Sequence, residues 1–305
     1  MKKHGIIAIV GAPNAGKSTI TNALLGQKLS IVSPKIQTTR NSIKAIIIED
    51  QTQLILIDTP GIFIPRDDKI LERVIVKSAW QGLREASHVC FVIDATVGMN
   101  IENARIIADL KKETLPLTII INKIDLVKKS RLLEIFASAI ELGFEDILPI
   151  SSQTKDGVEN LKKFLCQKCQ NPDWIYDEDQ ITDAPMRFIA SEVTREKLFL
   201  KLNQELPYSL TVKTDSYENL GASEIKIHQT IFVTKESQKS IIVGKNATMI
   251  KQIGQEARND ISAVAGGAKV HLFLFVKVKK NWMNDIESYE MIDVEKLPNQ
   301  KAVKK

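Results

Sequence analysis

Short apolar runs alternate with amphipathic stretches through the first half of the chain. Continuous apolar runs are typical of strands buried on both faces of a parallel sheet, and helical spacing of apolar residues is typical of the helices that cover such a sheet. The runs predict strands over 6–10, 42–49, 53–58, 89–94, 117–121 and 147–150, with helices that begin at Lys17 and span 71–86. We therefore predict an α/β domain with a mostly parallel sheet and helices on both faces.

The second half of the chain has a different pattern. Helical spacing over 192–202 is followed by predicted strands over 209–217 and 224–234, a short helix at 240–243, a helix over 248–264 and a strand over 269–279. This order of helix, strand, strand, helix, loop, helix and strand matches an α+β fold, the type II KH domain. We predict domains over 1–171 and 185–285, an acidic linker over 172–184 and a C-terminal tail over 286–305.

A glycine-rich loop directly follows the first predicted strand. Its sequence, Gly11-Ala-Pro-Asn-Ala-Gly-Lys-Ser18, has the G-x-x-x-x-G-K-[ST] spacing of a phosphate loop. In such a loop, backbone N–H groups and the N terminus of the next helix face the phosphates. Lys17 is expected to reach the β- and γ-phosphates, and Ser18 to ligate Mg²⁺. The residues expected to contact the nucleotide here are Gly11, Asn14, Ala15, Gly16, Lys17, Ser18 and Thr19.

Two further polar segments, Asn122-Lys-Ile-Asp125 and Ser151-Ser152, follow predicted strands. They indicate which nucleotide base the site binds. Guanine presents two adjacent donors, N1–H and N2–H₂, which the Asp125 carboxylate can accept together; adenine lacks this pair. Asn122 is expected to brace the pocket, Lys123 to cover one ring face, and the Ser152 N–H to reach the guanine O6. We predict a site for GTP and GDP. The alternative is an ATPase or another phosphate-loop enzyme such as a kinase.

The loop Ser33-Pro-Lys-Ile-Gln-Thr-Thr-Arg40 is expected to supply a threonine that ligates Mg²⁺ and senses the γ-phosphate. Thr39 is the first candidate and Thr38 the second; the alternative is a threonine that only satisfies a turn. In Asp58-Thr-Pro-Gly61, Asp58 is expected to hold Mg²⁺ through water, and the Gly61 N–H to contact the γ-phosphate. Loss of these contacts on hydrolysis would loosen both loops.

The residue after Gly61 is Ile62, where Ras-like enzymes carry the glutamine that orients the attacking water. Because isoleucine cannot hydrogen-bond through its side chain, unaided hydrolysis is expected to be slow. Asn14 has two interpretations: a ligand for K⁺, as in several related GTPases, or a cap for the loop backbone. We expect K⁺ to accelerate hydrolysis more than Na⁺. The residues assigned to catalysis are Asn14, Lys17, Thr39 and Gly61.

Composition and charge indicate the cellular compartment and which half of the chain is basic. The chain has 305 residues and three cysteines, and contains no apolar run long enough to span a membrane. The N-terminal residues enter the first predicted strand at once, so no signal peptide and a reducing cytoplasm are expected. Cys166 and Cys169 have C-x-x-C spacing, but a zinc or redox role is disfavoured because no second pair lies nearby. The net charge of +5 arises entirely from residues 184–305. This part of the chain has 19 basic and 14 acidic residues.

The loop Gly244-Lys-Asn-Ala247 lies between two predicted helices of the basic half. KH domains use a G-x-x-G loop at this place to clamp the backbone of single-stranded nucleic acid. Ala247 replaces the second glycine, and its Cβ disfavours positive φ. The alternative is a basic α+β domain that binds protein. The residues expected to contact RNA are Gly244, Lys245, Asn246, Ala247, Lys251 and Arg258.

The chain as a whole resembles the Era GTPase family. The resemblance is carried by the motifs described above and by the segments 11–19, 33–40, 58–62, 205–209, 238–245 and 250–254. Ser152 stands where the family usually has alanine, and little loss is expected because the contact there is a backbone N–H.

This resemblance implies a monomeric GTPase that binds the 3′ end of 16S rRNA through its KH domain and assists assembly of the 30S subunit. It also implies peripheral contact with the inner membrane. The alternative function is an RNA-binding assembly component in which GTP hydrolysis is incidental.

Overall fold

The computed structural model describes residues 1–35, 38–66, 69–203, 206–221 and 223–282. A seven-stranded sheet forms in the first half, and a three-stranded sheet in the second. The strands of the first sheet are β1 (Lys3–Gly11), β2 (Ile43–Glu49), β3 (Thr52–Asp58), β4 (His88–Asp94), β5 (Leu117–Asn122), β6 (Ile147–Pro149) and the two-residue β7 (Asn171–Pro172). The predicted tail lies outside the described residues.

The first sheet has the strand order β2-β3-β1-β4-β5-β6, and β7 pairs with β1. Its pairings from β3 to β6 are parallel, while β2 and β7 pair antiparallel. Every residue of β3 is buried, because helices cover both faces of the sheet. The carboxyl ends of β1, β3, β5 and β6 therefore meet at one edge, where an open α/β sheet binds its ligand.

Five helices surround this sheet: α1 (Lys17–Leu25), α2 (Ile70–Arg84), α3 (Ile101–Leu110), α4 (Lys129–Glu141) and α5 (Val158–Lys168). Two apolar clusters lie on its opposite faces. One contains Ile7, Ile9 and Leu56, and the other contains Ala8, Val10 and Phe91. Neighbouring residues of β1 thus alternate between the two faces, as a strand requires.

The second half contains α6 (Met186–Lys201), β8 (Leu210–Gly221), β9 (Glu224–Val233), α7 (Glu236–Val243), α8 (Thr248–Val264) and β10 (Lys269–Val278). The strand order is β10-β9-β8, with β9 parallel to β10 and antiparallel to β8. Helix α7 begins four residues earlier than the apolar run suggested, because Gln238 caps its start by accepting from the Thr234 and Lys235 N–H groups. The predicted fold class, an α/β domain followed by an α+β KH domain, is confirmed.

The acidic segment predicted as a linker packs on the first domain. The fully buried Gln53 on β3 accepts hydrogen bonds from the Ile175 and Tyr176 N–H groups and donates to the Tyr176 carbonyl. Trp174 donates to the Gln51 carbonyl at 3.1 Å. The Ile46 N–H donates to the Ile181 carbonyl at the open edge of β2. These contacts hold the segment against the first sheet.

The three cysteines are free thiols. Cys90 and Cys169 are fully buried, and burial raises the pKa of both thiols, that of Cys169 to about 12. No cluster of metal-ligating side chains occurs among the described residues. In that same part of the chain, no helix is long and apolar enough to cross a membrane.

Candidate nucleotide site and its contact with the KH domain

The phosphate loop joins β1 to α1 and has the backbone that its glycines permit. Gly16 has φ +96°, and a Cβ at this position would lie 2.2 Å from the Asn122 Nδ2 atom. Lys17 is buried inside the loop, where its Nζ donates to the carbonyls of Gly11 at 3.1 Å and Ala12 at 2.8 Å. Burial lowers the pKa of Lys17 to about 8, although the nearby charge of Asp58 opposes the shift. Bound phosphates would favour the protonated form of this lysine.

Three oxygen-bearing side chains meet at the mouth of the loop. The Ser18 and Thr39 hydroxyl oxygens lie 2.9 Å apart. The Asp58 carboxylate is fully buried, and among the described residues neither of its oxygens has a hydrogen bond of ordinary geometry, although the Ser18 and Ser30 hydroxyls lie close to it. Burial raises the pKa of Asp58, while the Ser18 and Ser30 hydroxyls and the Lys17 charge act against the shift. Because hydroxyl and carboxylate oxygens are the ligands that Mg²⁺ prefers, this set fits the ion directly or through water.

Thr38 is placed differently from its neighbour Thr39. Its hydroxyl donates to the Lys35 carbonyl at 2.6 Å and lies 2.7 Å from the Ser33 hydroxyl. The Thr38 side chain thus satisfies a turn, and Thr39 is the threonine that lies beside Ser18. The two residues Ile36 and Gln37 of this loop lie outside the described residues.

The base side of the site is tied to the phosphate loop by Asn122. Its Nδ2 donates to the Ala15 carbonyl at 2.9 Å, and its Oδ1 accepts from the Ser152 N–H at 3.1 Å. Lys123 spans the loop, donating to the Asn14 carbonyl at 2.8 Å and pairing with Asp94 at 2.6 Å. Asp125 lies exposed just beyond. Ser151 is buried, and its hydroxyl accepts from the Thr154 N–H.

A cavity of about 360 Å³ lies on the phosphate side of these groups and reaches the base side at Lys123. It is bounded by the phosphate loop, by the loop between α1 and β2, and by the segment after β3. Its lining includes Asn14, Gly16, Lys17, Ser18, Thr19, Thr38, Thr39, Gly61, Phe63 and Lys123. The phosphate loop, Thr39, Gly61 and Lys123 thus meet at one cavity, and Asn122 ties Ser152 to the phosphate loop beside it. Asp58, Asp125 and Ser151 do not line this cavity.

The segment after β3 lies against the phosphate loop. A Cβ on Gly61 would come within 2.8 Å of the Pro13 Cα, so glycine is required for this approach. Ile62 is 5% exposed and packs in the core, while its N–H donates to the Gly11 carbonyl. The Ile62 side chain therefore points away from the cavity. Asn14 has φ +62° and donates from Nδ2 to the Pro34 carbonyl at 3.2 Å.

The α1–β2 loop (residues 28–35 and 38–40) is docked on helix α6 of the KH domain, a contact that the sequence did not predict. Arg195 of α6, 1% exposed, donates to the Thr38 carbonyl at 2.6 Å. The Glu196 carboxylate accepts from the Val32 N–H at 2.8 Å and from Lys28. Lys35 donates to the Phe199 carbonyl. Consecutive turns of α6 thus hold the loop that carries Thr39.

Charged groups reinforce this contact. Lys28 also pairs with Asp260 of α8 at 2.7 Å, and Lys197 pairs with the same carboxylate at 2.5 Å. Burial alone would lower the pKa of Lys28, but Asp260 and Glu196 together raise it. Burial likewise opposes ionisation of Asp260, but Lys197 and Lys28 lower its pKa. The only sequence signal was the presence of charged residues within the predicted helix 192–202, which did not indicate burial.

The KH loop joins α7 to α8 and has a left-handed backbone. Gly244 has φ +73°, Asn246 +53° and Ala247 +59°. Lys245 and Asn246 are exposed, as is Lys251 on the first turns of α8, and Arg258 is half-buried farther along that helix. The six predicted RNA contacts thus lie on one loop and the helix that follows it, away from the nucleotide cavity.

Comparison with known proteins agrees with this architecture. A model described as a 50S ribosome-binding GTPase matches residues 6–123, and a KH domain model matches residues 205–283. GTPase Era of Bradyrhizobium diazoefficiens is 44% identical over 292 residues, covering 95% of this chain and 94% of that protein. GTPase Era of Brucella suis is 43% identical over 288 residues, covering 94% and 92%.

Solved structures give the same result. The structure of an Aquifex aeolicus Era variant bound to GDP and AlF₄⁻ is 35% identical, with a TM-score of 0.89, covering 94% of this chain and 97% of that one. A structure of Era with MgGDPNP and nucleotides 1506–1542 of 16S ribosomal RNA is 34% identical, with the same TM-score and the same coverage. With its phosphate loop, its guanine-type Asn122–Asp125 segment and its C-terminal KH domain, the chain belongs to the GTPase Era family.

Proposed function

We propose that this GTPase is a nucleotide-controlled switch that binds the 3′ end of 16S rRNA through its KH domain and assists 30S subunit assembly. The observation that carries the proposal is the docking of the α1–β2 loop on α6 through Arg195, Glu196 and Phe199. The complex of the related Era with a 16S rRNA fragment supports the choice of RNA.

Within the nucleotide site we assign roles from the contacts. Lys17 binds the β- and γ-phosphates, and Ser18, Thr39 and Asp58 hold Mg²⁺, which supplies charge neutralisation on those phosphates when it is bound. The Gly61 N–H, held against Pro13, contacts the γ-phosphate.

On the base side, we assign the selection of guanine to Asp125, while Asn122 ties the phosphate loop to the segment after β6. The Ser152 N–H donates to the Asn122 Oδ1 at 3.1 Å, so it reaches the guanine O6 only by sharing or leaving that hydrogen bond. We expect Asp125→Asn to shift the preference from GTP to xanthosine triphosphate, because the asparagine NH₂ group can donate to the exocyclic O2 that xanthine carries in place of the guanine N2 amino group. An unchanged preference for GTP in competition binding would exclude Asp125 as the residue that selects the base.

The coupling follows from where the hydrogen bonds lie. Thr39 can ligate Mg²⁺ only if the backbone of its loop is ordered, and Arg195 holds the carbonyl of the preceding residue, Thr38. A nucleotide that favours the docked loop therefore favours this position of α6. By linkage, an RNA that binds one position of the KH domain better changes nucleotide affinity by the same factor. A nucleotide that bound both positions equally would shift nothing.

The decisive test removes this contact without leaving a buried charge. Arg195 and Glu192 form a buried ion pair. Replacing both residues together, Arg195→Met with Glu192→Leu, puts an apolar pair of similar size in its place. Labelled RNA with the 16S 3′ sequence is titrated against the wild type and the double variant, each with a GTP analogue and with GDP. In the wild type, the RNA affinities in the two nucleotide states should differ by about fivefold or more. In the double variant, the two affinities should be nearly equal.

Arg187→Met is the matched control. Arg187 lies on the same helix but donates to the Thr214 carbonyl inside the KH domain, so this variant should keep the wild-type difference. Equal RNA affinity of the wild type in both nucleotide states would remove the coupling. In that case Lys17→Ala should leave RNA binding and subunit maturation intact, which is the outcome expected if hydrolysis is incidental.

Potassium dependence is a separate prediction. The Ile62 side chain is buried away from the cavity, so it cannot orient water, and Asn14 lies beside the Pro34 carbonyl. We propose that K⁺ binds between the Asn14 amide oxygen and loop carbonyls, which requires the opposite amide rotamer. Single-turnover hydrolysis should be faster in K⁺ than in Na⁺, and Asn14→Ala should abolish the difference. Equal rates in the two salts would exclude the site.

The remaining expectations stay proposals. We propose a monomer that acts in the cytoplasm, with peripheral contact at the inner membrane, and a division into domains 1–171 and 185–285 with the acidic segment between them. Sedimentation of the purified chain without vesicles tests the oligomeric state, and sedimentation with vesicles tests the membrane contact.

A further inference from the structure

Three aromatic side chains stand on the outer face of the KH sheet. Phe273 and Phe275 on β10 are 45% and 51% exposed. His228 on β9 pairs in register with Phe273, and its ring centroid lies 4.9 Å from that of Phe273 with an interplanar angle of 16°. The His228 and Phe275 centroids are 6.4 Å apart at 15°. The three rings are therefore nearly parallel, and both phenylalanines are open to solvent.

This face is distinct from the KH loop. Strand residues alternate between faces, and Leu272, Leu274 and Val276 of β10 pack into the clusters formed with α6, α7 and α8. Phe273 and Phe275 therefore point to the opposite side from the helices that carry the Gly244–Ala247 loop. A ligand on the aromatic face would not overlap a ligand in that loop.

Lysines surround the rings. Lys213 lies in the same row as Phe275, across Thr230, while Lys226 flanks His228 and Lys277 follows Phe275 by two residues. Within the described part of the chain, these three ammonium groups have no hydrogen bond or ion pair. They are therefore available for an anionic ligand.

Among the residues that the structure describes, three acids lie on this face. Glu224 is engaged by Lys269 and His271, and Asp215 accepts from the Thr230 hydroxyl. Glu218 pairs in register with Lys226 but forms no ion pair with it in the described structure. Because a hydroxyl donor leaves the charge of Asp215 in place, two acids without an ion pair, Asp215 and Glu218, stand against three available lysines, and the described residues of this face still carry a net positive charge.

We infer that this outer sheet face binds unpaired bases of single-stranded RNA, as a second RNA surface beside the KH loop. Aromatic rings on a sheet stack on bases of any sequence, and lysines around them bind the phosphates between those bases. The core of a protein interface is depleted in lysine, so this combination favours RNA over a protein partner. The inference extends the proposed RNA binding but rests on different residues.

The test separates ring stacking from apolar contact. Two double variants of the full chain are compared: Phe273→Leu with Phe275→Leu, which keeps apolar side chains but removes the rings, and Phe273→Tyr with Phe275→Tyr, which keeps the rings. Fluorescence anisotropy measures binding of a labelled single-stranded RNA of eight uridines and of a duplex of eight base pairs. The leucine variant should lose at least about fivefold in affinity for the single strand, and the tyrosine variant should stay within twofold of wild type.

Cross-linking locates the bound strand. RNA with 5-bromouridine should cross-link to the peptide 269–278 in the wild type, and Lys245→Glu in the KH loop should leave this product in place. Cross-links confined to 244–258, with leucine and wild-type affinities equal, would overturn the inference while leaving RNA binding by the loop intact. If the leucine variant instead loses self-association in sedimentation and keeps its RNA affinity, the face is a protein surface and the inference is wrong.

Discussion

At the scale of single residues, Ala247 carries a conformation that suits glycine. Its φ of +59° lies in the left-handed region, where an L-residue costs roughly 1–2 kcal/mol. Ala247→Gly removes that strain but increases the entropy of the unfolded chain, so the free energy of unfolding should rise by about 0.5–1 kcal/mol. Urea titration followed by circular dichroism measures the change.

The control for this prediction is Ala137→Gly, at an exposed position of α4 with helical backbone. The free energy of unfolding of this variant should fall by up to about 1 kcal/mol, because glycine weakens a helix interior. A loss of stability in both variants would contradict the strain at Ala247.

At the scale of elements, the acidic segment after β7 depends on one buried side chain. Gln53 makes three hydrogen bonds to the backbone of residues 175 and 176. Gln53→Ala leaves these groups without partners, which should lower the free energy of unfolding by about 1–3 kcal/mol and expose 173–183 to limited proteolysis. Gln51→Ala is the matched control, because the Gln51 side chain is exposed and Trp174 bonds only to its backbone.

The prediction for Gln53 is that residues 173–183 detach from the first domain while the rest of the chain stays folded. If proteolysis in 173–183 is equally slow in both variants, the segment is held by its apolar side chains and not by the hydrogen bonds of Gln53.

At the scale of the whole molecule, the two domains share one interior. The apolar cluster that contains Ile7 and Leu56 of the first domain continues into Phe188, Val193 and Ile227 of the KH domain. A second cluster joins Leu71 and Ile75 of α2 to Trp282, with Phe63 and Phe232 packed against it. The α1–β2 loop and the segment after β3, which we propose to contact the γ-phosphate, therefore each lie next to a surface that touches the KH domain.

This sharing predicts that nucleotide stabilises both domains. Because a ligand that binds only the folded state raises its stability by mass action, Mg²⁺ and GDP should slow amide hydrogen exchange in β8 and β9 as well as in the phosphate loop. Protection confined to residues before 172 would show that the KH domain opens independently. Hydrogen exchange read by mass spectrometry distinguishes the two outcomes.

The sequence by itself determined the fold class and the four segments of the nucleotide pocket. Their spacing is local, and each segment follows a strand whose apolar run is unambiguous, so the topology of a parallel sheet brings them to one edge. The helix from Thr248 to Val264 also follows directly from its periodicity. Thr39 was preferred over Thr38 from the sequence, but the separate turn contacts of Thr38 appear only in the folded loop.

Only the tertiary structure decided which surfaces meet. Arg195 and Glu196 are ordinary charged residues of a predicted helix until the α1–β2 loop packs on them. The centre of strand β10, residues 272–276, is apolar on both faces, so the pattern does not tell whether Leu274 or Phe275 is covered. The packing of α8 partly buries Leu274 and leaves Phe275 exposed. Contacts between residues distant in sequence depend on the assembled chain, and no local spacing encodes them.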